Sequence, residues 1–317
     1  MQDTLMFIYL SMYYIIYPFL YGLSLLPFFI LYGISDFLFF IIYYVAGYRK
    51  KIVFNNLAIA FPEKKPTEKK IIAKQFYKNL IDTFIETIKL LSISPEQIKK
   101  RAVLDFSAVQ HLIDKGKNVQ LHSGHQMNWE YAHWAVVRNI TISWVGIYMR
   151  INNKALNRLF FNLRNKGTTV LVAANEFKER AHACFKEQYA LGLAADQNPG
   201  VPATAYWLNF FNRPTPFVTG PDKGARKNNT AVVFVKFVKQ KRGYYIFETK
   251  VITENGAGLQ EGELTLLYRD FLEETIKEHP ANYLWSHRRW KWEYNENYKK
   301  NWIEKKAPPD GRSIVTI

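Results

Sequence analysis

The chain has 317 residues, a formal net charge of +16 at pH 7 and a single cysteine. One cysteine excludes an internal disulfide, as expected for a protein of a reducing compartment. The positive charge favours an anionic partner, which could be nucleic acid, anionic lipid or an acidic carrier, and the sequence carries no recognisable nucleic-acid-binding motif.

Residues 1–48 predict a membrane-anchoring segment. They contain no Lys or Arg and only two acids, Asp3 and Asp36, so they carry a charge of −2 and the rest of the chain carries +18. A bilayer span needs about 20 such apolar residues. We expect either one tilted span followed by an interfacial helix, or two helices broken near residues 33–36. A cleaved signal peptide is disfavoured because no basic region precedes the apolar run, and a pair of very apolar core helices is the remaining alternative.

A basic cluster, Arg49-Lys50-Lys51, follows this segment directly. The positive-inside tendency predicts that residues 49–317 lie in the cytoplasm. Their length suits one domain with a single sizeable core. Basic groups beside a span lie close to anionic headgroups, which favours lipid over nucleic acid as the partner.

The body of the chain alternates helices and strands. Helical spacing covers residues 53–61 and 71–91, and Ser94-Pro95 begins another helix with Gln97 completing a capping box. The predicted strands are 102–106, 118–122, 143–148 and 191–195, followed by 231–238 and 244–249, a pair that could run antiparallel. A long helix at 261–279 ends before Pro280. This order predicts an α/β fold in which helices flank a mostly parallel or mixed sheet.

The segment around His125 carries the candidate chemistry. His125 follows a strand-like run, and Glu130 lies five positions later at the start of a helix-like run. A neutral imidazole can take a proton from an alcohol near neutral pH, and a carboxylate on its other nitrogen would fix its tautomer. We therefore expect His125 to be a base oriented by Glu130. The same spacing recurs at His182 and Glu187, but inside a helix-like stretch where the two side chains would point apart.

Four other polar segments, each with an ordinary structural explanation, follow in the sequence. Arg164 in 162–167 could interact with a helix C-terminus, and Asp196 in 195–200 could cap a turn. Segments 210–216 and 285–291 combine basic and aromatic residues, as an interface or a membrane-contact surface would.

Taken in order after His125 and Glu130, these segments resemble the lipid A late acyltransferases of Gram-negative bacteria, a branch of the lysophospholipid acyltransferase superfamily. The resemblance extends from the apolar N-terminus, through Asn55-Asn56-Leu57 and Phe61-Pro62-Glu63, to Trp285-Ser-His-Arg-Arg-Trp-Lys291. It implies a glycerolipid acyltransferase-like fold. It also implies that a fatty acyl chain moves from a thioester of acyl carrier protein or CoA to a hydroxyl of a lipid A precursor.

The same resemblance implies roles for four residues. His125 and Glu130 would be catalytic, and Arg164 and Asp196 would bind substrate or shape the site. The reaction would take place on the cytoplasmic side of the inner membrane and would need no cofactor beyond the acyl thioester, which is a co-substrate. This chemistry requires a base and oxyanion stabilisation but no enzyme nucleophile, and the chain has no Gly-x-Ser-x-Gly elbow.

Three other functions stay open from the residues. The acceptor could be another glycolipid or a phospholipid. A membrane metallohydrolase would use His122, His125, Glu130 and His133 as metal ligands. A non-catalytic lipid-binding scaffold would leave His125 and Glu130 dispensable.

Overall fold

A computed structural model describes the backbone of residues 2–306 and the side chains of residues 12–306. The helices are α1 Gln2–Leu25, α2 Phe28–Phe40, α3 Lys50–Ala60, α4 Pro66–Lys89, α5 Pro95–Arg101, α6 Ser107–Asp114, α7 Trp129–Val137, α8 Lys154–Arg164, α9 Phe177–Cys184, α10 Gly220–Lys227 and α11 Glu263–Glu278. The strands are β1 Ala102–Leu104, β2 Val119–Ser123, β3 Ser143–Tyr148, β4 Thr169–Ala173, β5 Tyr189–Ala194, β6 Tyr206–Phe210, β7 Arg213–Phe217, β8 Ala231–Lys241 and β9 Tyr244–Thr253.

Seven of these strands form one mixed sheet in the order β1-β9-β8-β2-β5-β3-β4. Strands β8 and β9 pair antiparallel, and the other neighbours pair parallel. Alternate residues of β8 enter different hydrophobic clusters, with Val232 and Phe234 in one and Val233 and Val235 in the other. Because side chains alternate across a strand, apolar clusters cover both faces of the sheet. The α/β prediction is confirmed, including the antiparallel β8–β9 pair.

A separate antiparallel hairpin, β6–β7, contains the aromatic and basic segment 210–216, for which the sequence predicted no strand. Strand β7 contains Pro214 and Pro216, which cannot donate ladder hydrogen bonds and so weaken a strand prediction. The two connecting residues, Phe211 and Asn212, have φ of 52° and 57°. Positive φ at both positions is the geometry of the tight turn that joins twisted strands.

The N-terminal helices break at Leu26-Pro27, not near residues 33–36. Proline disfavours helical backbone at the residue before it, and Pro27 stands immediately before α2. Residues 33–36 stay helical, and the polar groups there bond to the body of the protein. Ser35 donates to Asp82 at 2.7 Å, and Arg242 bridges Asp36 and Asp82. These contacts hold α2 against α4.

One helix of the described chain, Phe28–Ala46, has 19 residues and is long and apolar enough to cross a membrane, with a mean hydropathy of 2.0 over an 18-residue window. It comprises α2 and a π-helical continuation, Ile41–Ala46. Phe29, Phe37 and Phe40 lie exposed on it. A shorter apolar helix covers Met12–Leu25.

Candidate active site

Two side chains that are far apart in sequence, His125 and Asp196, meet at the carboxyl ends of neighbouring parallel strands. Ser123 at the end of β2 is in register with Ala194 at the end of β5. The Asp196 Oδ1 atom lies 2.6 Å from His125 Nδ1, and the backbone N–H of His125 donates to Oδ2 at 3.0 Å. The switch from strand to turn at this edge of a sheet is a common place for α/β proteins to present chemistry.

Residues around the two strand ends fix this geometry. The Tyr268 hydroxyl of α11 donates to the Ser123 carbonyl at 2.6 Å and accepts from the Ala195 N–H at 3.1 Å, so it bridges β2 and β5. Gly124 leaves room for α11, because a Cβ there would lie 2.8 Å from Leu272 Cδ2. The turn that carries the imidazole therefore depends on a helix that begins more than a hundred residues later.

The electrostatics of the pair favour an ionised aspartate and a basic imidazole. Burial raises the pKa of Asp196, but the charge and hydrogen bonds of His125 outweigh burial and the pKa is lowered. Burial also opposes the imidazolium, yet Asp196 outweighs that effect and raises the pKa of His125. Arg289, which is fully buried, adds a further positive charge that favours the Asp196 carboxylate. Because Nδ1 bonds to a carboxylate, the neutral ring keeps its proton there and its lone pair on Nε2.

Glu130 does not orient His125, contrary to the sequence prediction. The Glu130 carboxylate is 2 % exposed and accepts hydrogen bonds from the Arg164 guanidinium, from Nε at 3.0 and 3.2 Å and from Nη2. It also accepts from the Trp129 indole N–H at 3.1 Å. The backbone turns into α7 at Trp129, capped by the Asn128 side chain, so Glu130 belongs to the first turn of a helix and points into the protein. Asp196 is the carboxylate at the imidazole.

The turn before α7 is held by a buried carboxylate that sequence reasoning missed. Glu86 on α4 is fully buried and accepts from the Asn128 amide at 2.9 Å and from the Tyr245 hydroxyl at 2.8 Å. Asn128 in turn accepts from the backbone N–H of Glu130 at 3.0 Å. Desolvation raises the pKa of Glu86. No local pattern around residue 86 indicates this role, because its partners come from distant segments.

The remaining members of the alternative metal set lie apart from the pair. His122 is buried on β2, with Nε2 2.8 Å from the Gln120 amide, and burial lowers its pKa to about 3. His133 donates from Nε2 to the Arg164 carbonyl at 2.8 Å and accepts from Trp144 at Nδ1. Among the described side chains, those of residues 12–306, no three His, Cys, Asp or Glu come together as a metal site.

An open groove adjoins the pair. Its volume is about 490 Å³, and its lining is Arg49, Ile52, Asn198, Pro199, Gly200, His287, Arg288, Lys291 and Trp292. The backbone links it to the pair, because the His125 carbonyl accepts from the Leu284 N–H at 3.1 Å and the Leu284 carbonyl accepts from the His287 N–H at 3.1 Å. Burial and then the Arg289 charge lower the pKa of His287 to about 4. The imidazole of His125 is 28 % exposed, so it is accessible from outside the protein.

Segment 285–291 is more deeply buried than the interface or membrane-contact surface that the sequence predicted. Trp285 and Arg289 are fully buried. Arg289 donates to the Pro216 carbonyl at 3.0 Å, and its guanidinium lies 4.3 Å from the Phe217 ring centroid. The alternation of buried and exposed positions leaves Arg288 and Lys291 exposed.

The chain matches the family model for bacterial lipid A biosynthesis acyltransferases over residues 2–292. The match covers most of the chain, so the protein belongs to this family. No curated protein matches the chain.

Proposed function

Starting from membership of the lipid A biosynthesis acyltransferase family, we propose that this protein transfers a fatty acyl chain from an acyl thioester to a hydroxyl of a lipid A precursor. The single observation that carries the proposal is the 2.6 Å contact between His125 Nδ1 and the buried Asp196 carboxylate. This contact leaves Nε2 of a partly exposed imidazole free to act as a base. Membership of the family indicates that the reaction is acyl transfer.

In the proposed step, the acceptor oxygen attacks the thioester carbonyl carbon while its proton moves to Nε2 of His125. Asp196 stabilises the imidazolium that forms. The tetrahedral oxyanion then collapses, the carbon–sulfur bond breaks, and the departing thiolate takes the proton from His125. The same proton moves onto Nε2 and off it again, so an imidazole with a fixed tautomer suffices and no covalent acyl-enzyme is needed.

Glu130 and Arg164 form the neighbouring part of the proposed site. Glu130 acts as a positioning residue, because the Trp129 indole that donates to it also lies edge-on to the His125 ring, with centroids 6.4 Å apart. The Arg164 side chain is 23 % exposed. Its guanidinium can therefore contact an anionic group of a substrate while Glu130 holds Nε and Nη2.

We also propose that residues 1–48 anchor the protein to the cytoplasmic face of the bacterial inner membrane. Phe29, Phe37 and Phe40 are exposed on Phe28–Ala46, while its other side packs on α4. A large exposed apolar surface is typical of a membrane contact. Arg49 and the lysines after it would then lie at headgroup level. The basic body suits an acidic acyl carrier protein as donor.

The test is an acyl-transfer assay with a lipid A precursor, an acyl carrier protein thioester or acyl-CoA, and mass spectrometry of the lipid product. A general base contributes about 10²–10⁴-fold to rate, so His125→Ala should lower turnover by that factor. His182→Ala is the matched control, because this exposed histidine has the same spacing to an acid but lies on α9. Near-normal turnover of His125→Ala would refute the proposed base, and the absence of turnover in the wild type would favour the scaffold function, in which His125 and Glu130 are dispensable.

A further inference from the structure

Glu86, the buried carboxylate on α4, contacts groups from three other segments of the chain. Its Oε1 atom accepts from the Tyr32 hydroxyl on α2 at 3.0 Å. Its Oε2 atom accepts from the Tyr245 hydroxyl on β9 at 2.8 Å and from the Asn128 amide at 2.9 Å. The carboxylate is fully buried, so bulk water does not weaken these hydrogen bonds. One side chain therefore connects the apolar N-terminal helix to the turn before α7.

The contact with Asn128 fixes the orientation of an amide that begins a helix. Because the amide nitrogen donates to Glu86, the amide oxygen faces the other way. There it accepts from the backbone N–H groups of Glu130 and Tyr131, at 3.0 and 3.2 Å. Hydrogen bonds are directional, so an apolar residue at position 86 would fill the space without setting this orientation. The first turn of α7 therefore takes its position from Glu86.

The first turn of α7 carries two contacts of the proposed site. Trp129 lies edge-on to the His125 ring, with centroids 6.4 Å apart. The Glu130 carboxylate holds the Arg164 guanidinium. A shift of this turn would move both the base and the cation relative to a substrate, and a misplacement of about 1 Å can lower a rate about 10²-fold. The position of the turn therefore matters to the reaction.

Tyr32 reaches Glu86 from a closely packed position on the apolar helix. The Arg242 guanidinium lies 4.4 Å from the centroid of the Tyr32 ring. A Cβ at Gly243 would clash with the Tyr32 hydroxyl, so the β8–β9 turn leaves just enough room for this side chain. The hydroxyl can bond to Glu86 only while α2 packs against both α4 and this turn. The bond therefore depends on where the apolar helix lies.

Resting on the proposed function, we infer that Glu86 is a positioning residue for acyl transfer, and that it couples the packing of the apolar helix on the body to the geometry of the turn before α7. Tyr32 is one end of this connection and Asn128 is the other. The connection is short, because the two oxygens of one side chain accept from both. Since the apolar helix is the proposed membrane contact, anchoring and catalysis depend on the same buried carboxylate.

An exchange of the amide and the carboxylate tests the Glu86–Asn128 contact. Asn128→Asp can still cap α7, but it places two carboxylates face to face, so kcat should fall about tenfold or more. Glu86→Gln keeps the shape of the side chain and should lower kcat by less, about threefold. The double variant again sets an amide opposite a carboxylate, and its kcat should return at least to the level of Glu86→Gln.

The assay is acyl transfer from an acyl thioester by the full chain in detergent micelles, at a temperature where thermal unfolding shows every variant to be folded. A double variant as slow as Asn128→Asp would overturn the inference. Recovery of the thermal midpoint without recovery of kcat would also overturn it, because a merely structural contact behaves in that way.

Hydrogen exchange tests the connection from Tyr32 to α7 without any substrate. Tyr32→Phe keeps the ring and removes the hydroxyl, so the amides of Glu130 and Tyr131 should exchange about fivefold faster or more. Tyr44→Phe is the control, because it removes a hydroxyl from an exposed ring on the same apolar helix. Unchanged exchange in Tyr32→Phe, or an equal rise in both variants, would overturn the coupling. If the wild type transfers no acyl chain, the proposed function fails, and hydrogen exchange still decides whether Glu86 connects α2 to α7.

Discussion

Replacing Asp196 by Asn tests the central geometry most directly. The substitution keeps the size of a side chain that is 1 % exposed and leaves an amide oxygen able to accept from the His125 backbone N–H. It removes the negative charge 2.6 Å from Nδ1. The imidazolium formed during proton transfer then loses a charge-assisted hydrogen bond, a contribution of about 1.5–3 kcal/mol. The neutral ring also loses its fixed tautomer.

The expected result is a fall in kcat/KM of about 10²–10³-fold, because each 1.4 kcal/mol changes a rate tenfold and the unfavourable tautomer adds to the loss. The pH profile gives a second readout. In the wild type, His125 must be deprotonated to act and Asp196 raises its pKa above the ordinary value of 6.5, so activity rises with pH through that raised pKa. Without Asp196, burial alone acts on the ring and the acidic limb should move to lower pH.

The assay is acyl transfer from a thioester between pH 5 and pH 9, with thermal unfolding measured alongside because Arg289 loses a buried counter-charge. Asp270→Asn is the control, since Asp270 is 67 % exposed on α11. A rate loss below about tenfold, or an acidic limb that stays in place, would show that Asp196 does not hold the catalytic base.

Three further outcomes follow from the structure. Glu130→Gln should lower the free energy of unfolding by about 2 kcal/mol, measured by denaturant titration, because the Arg164 guanidinium loses its charged acceptor; an unchanged midpoint would contradict this. Arg242→Ala should release the apolar helix from the body and increase proteolysis after residue 40, since one guanidinium contacts carboxylates on both α2 and α4; equal cleavage of wild type and variant would argue against that link. Phe37→Asp should reduce sedimentation with phospholipid vesicles about tenfold or more, because a charge is costly in hydrocarbon, whereas Val103→Asp at another exposed apolar position should not.

Local sequence patterns predicted the elements that depend on interactions between residues close together in the sequence. The Ser94 hydroxyl accepts from the Gln97 N–H at 3.2 Å, as the capping pattern indicates. Strands β2, β3, β5, β8 and β9 lie where apolar runs predicted them, and His125 follows β2 directly. The missed break at Pro27 was also a local feature, since the residue before a proline disfavours helix. The order of the motifs along the chain predicted the lipid A acyltransferase family, and the family match confirms that prediction.

The catalytic partnership is a property of the tertiary structure. Asp196 reaches His125 across 71 residues because β2 and β5 are adjacent parallel strands whose ends coincide. Spacing along the chain favoured Glu130, but the start of α7 directs that carboxylate to Arg164. Sequence by itself determined which residue types are present and roughly where most strands of the large sheet lie. Sheet order and register, which depend on burial between distant segments, decided which carboxylate meets the imidazole and which basic residues face the groove.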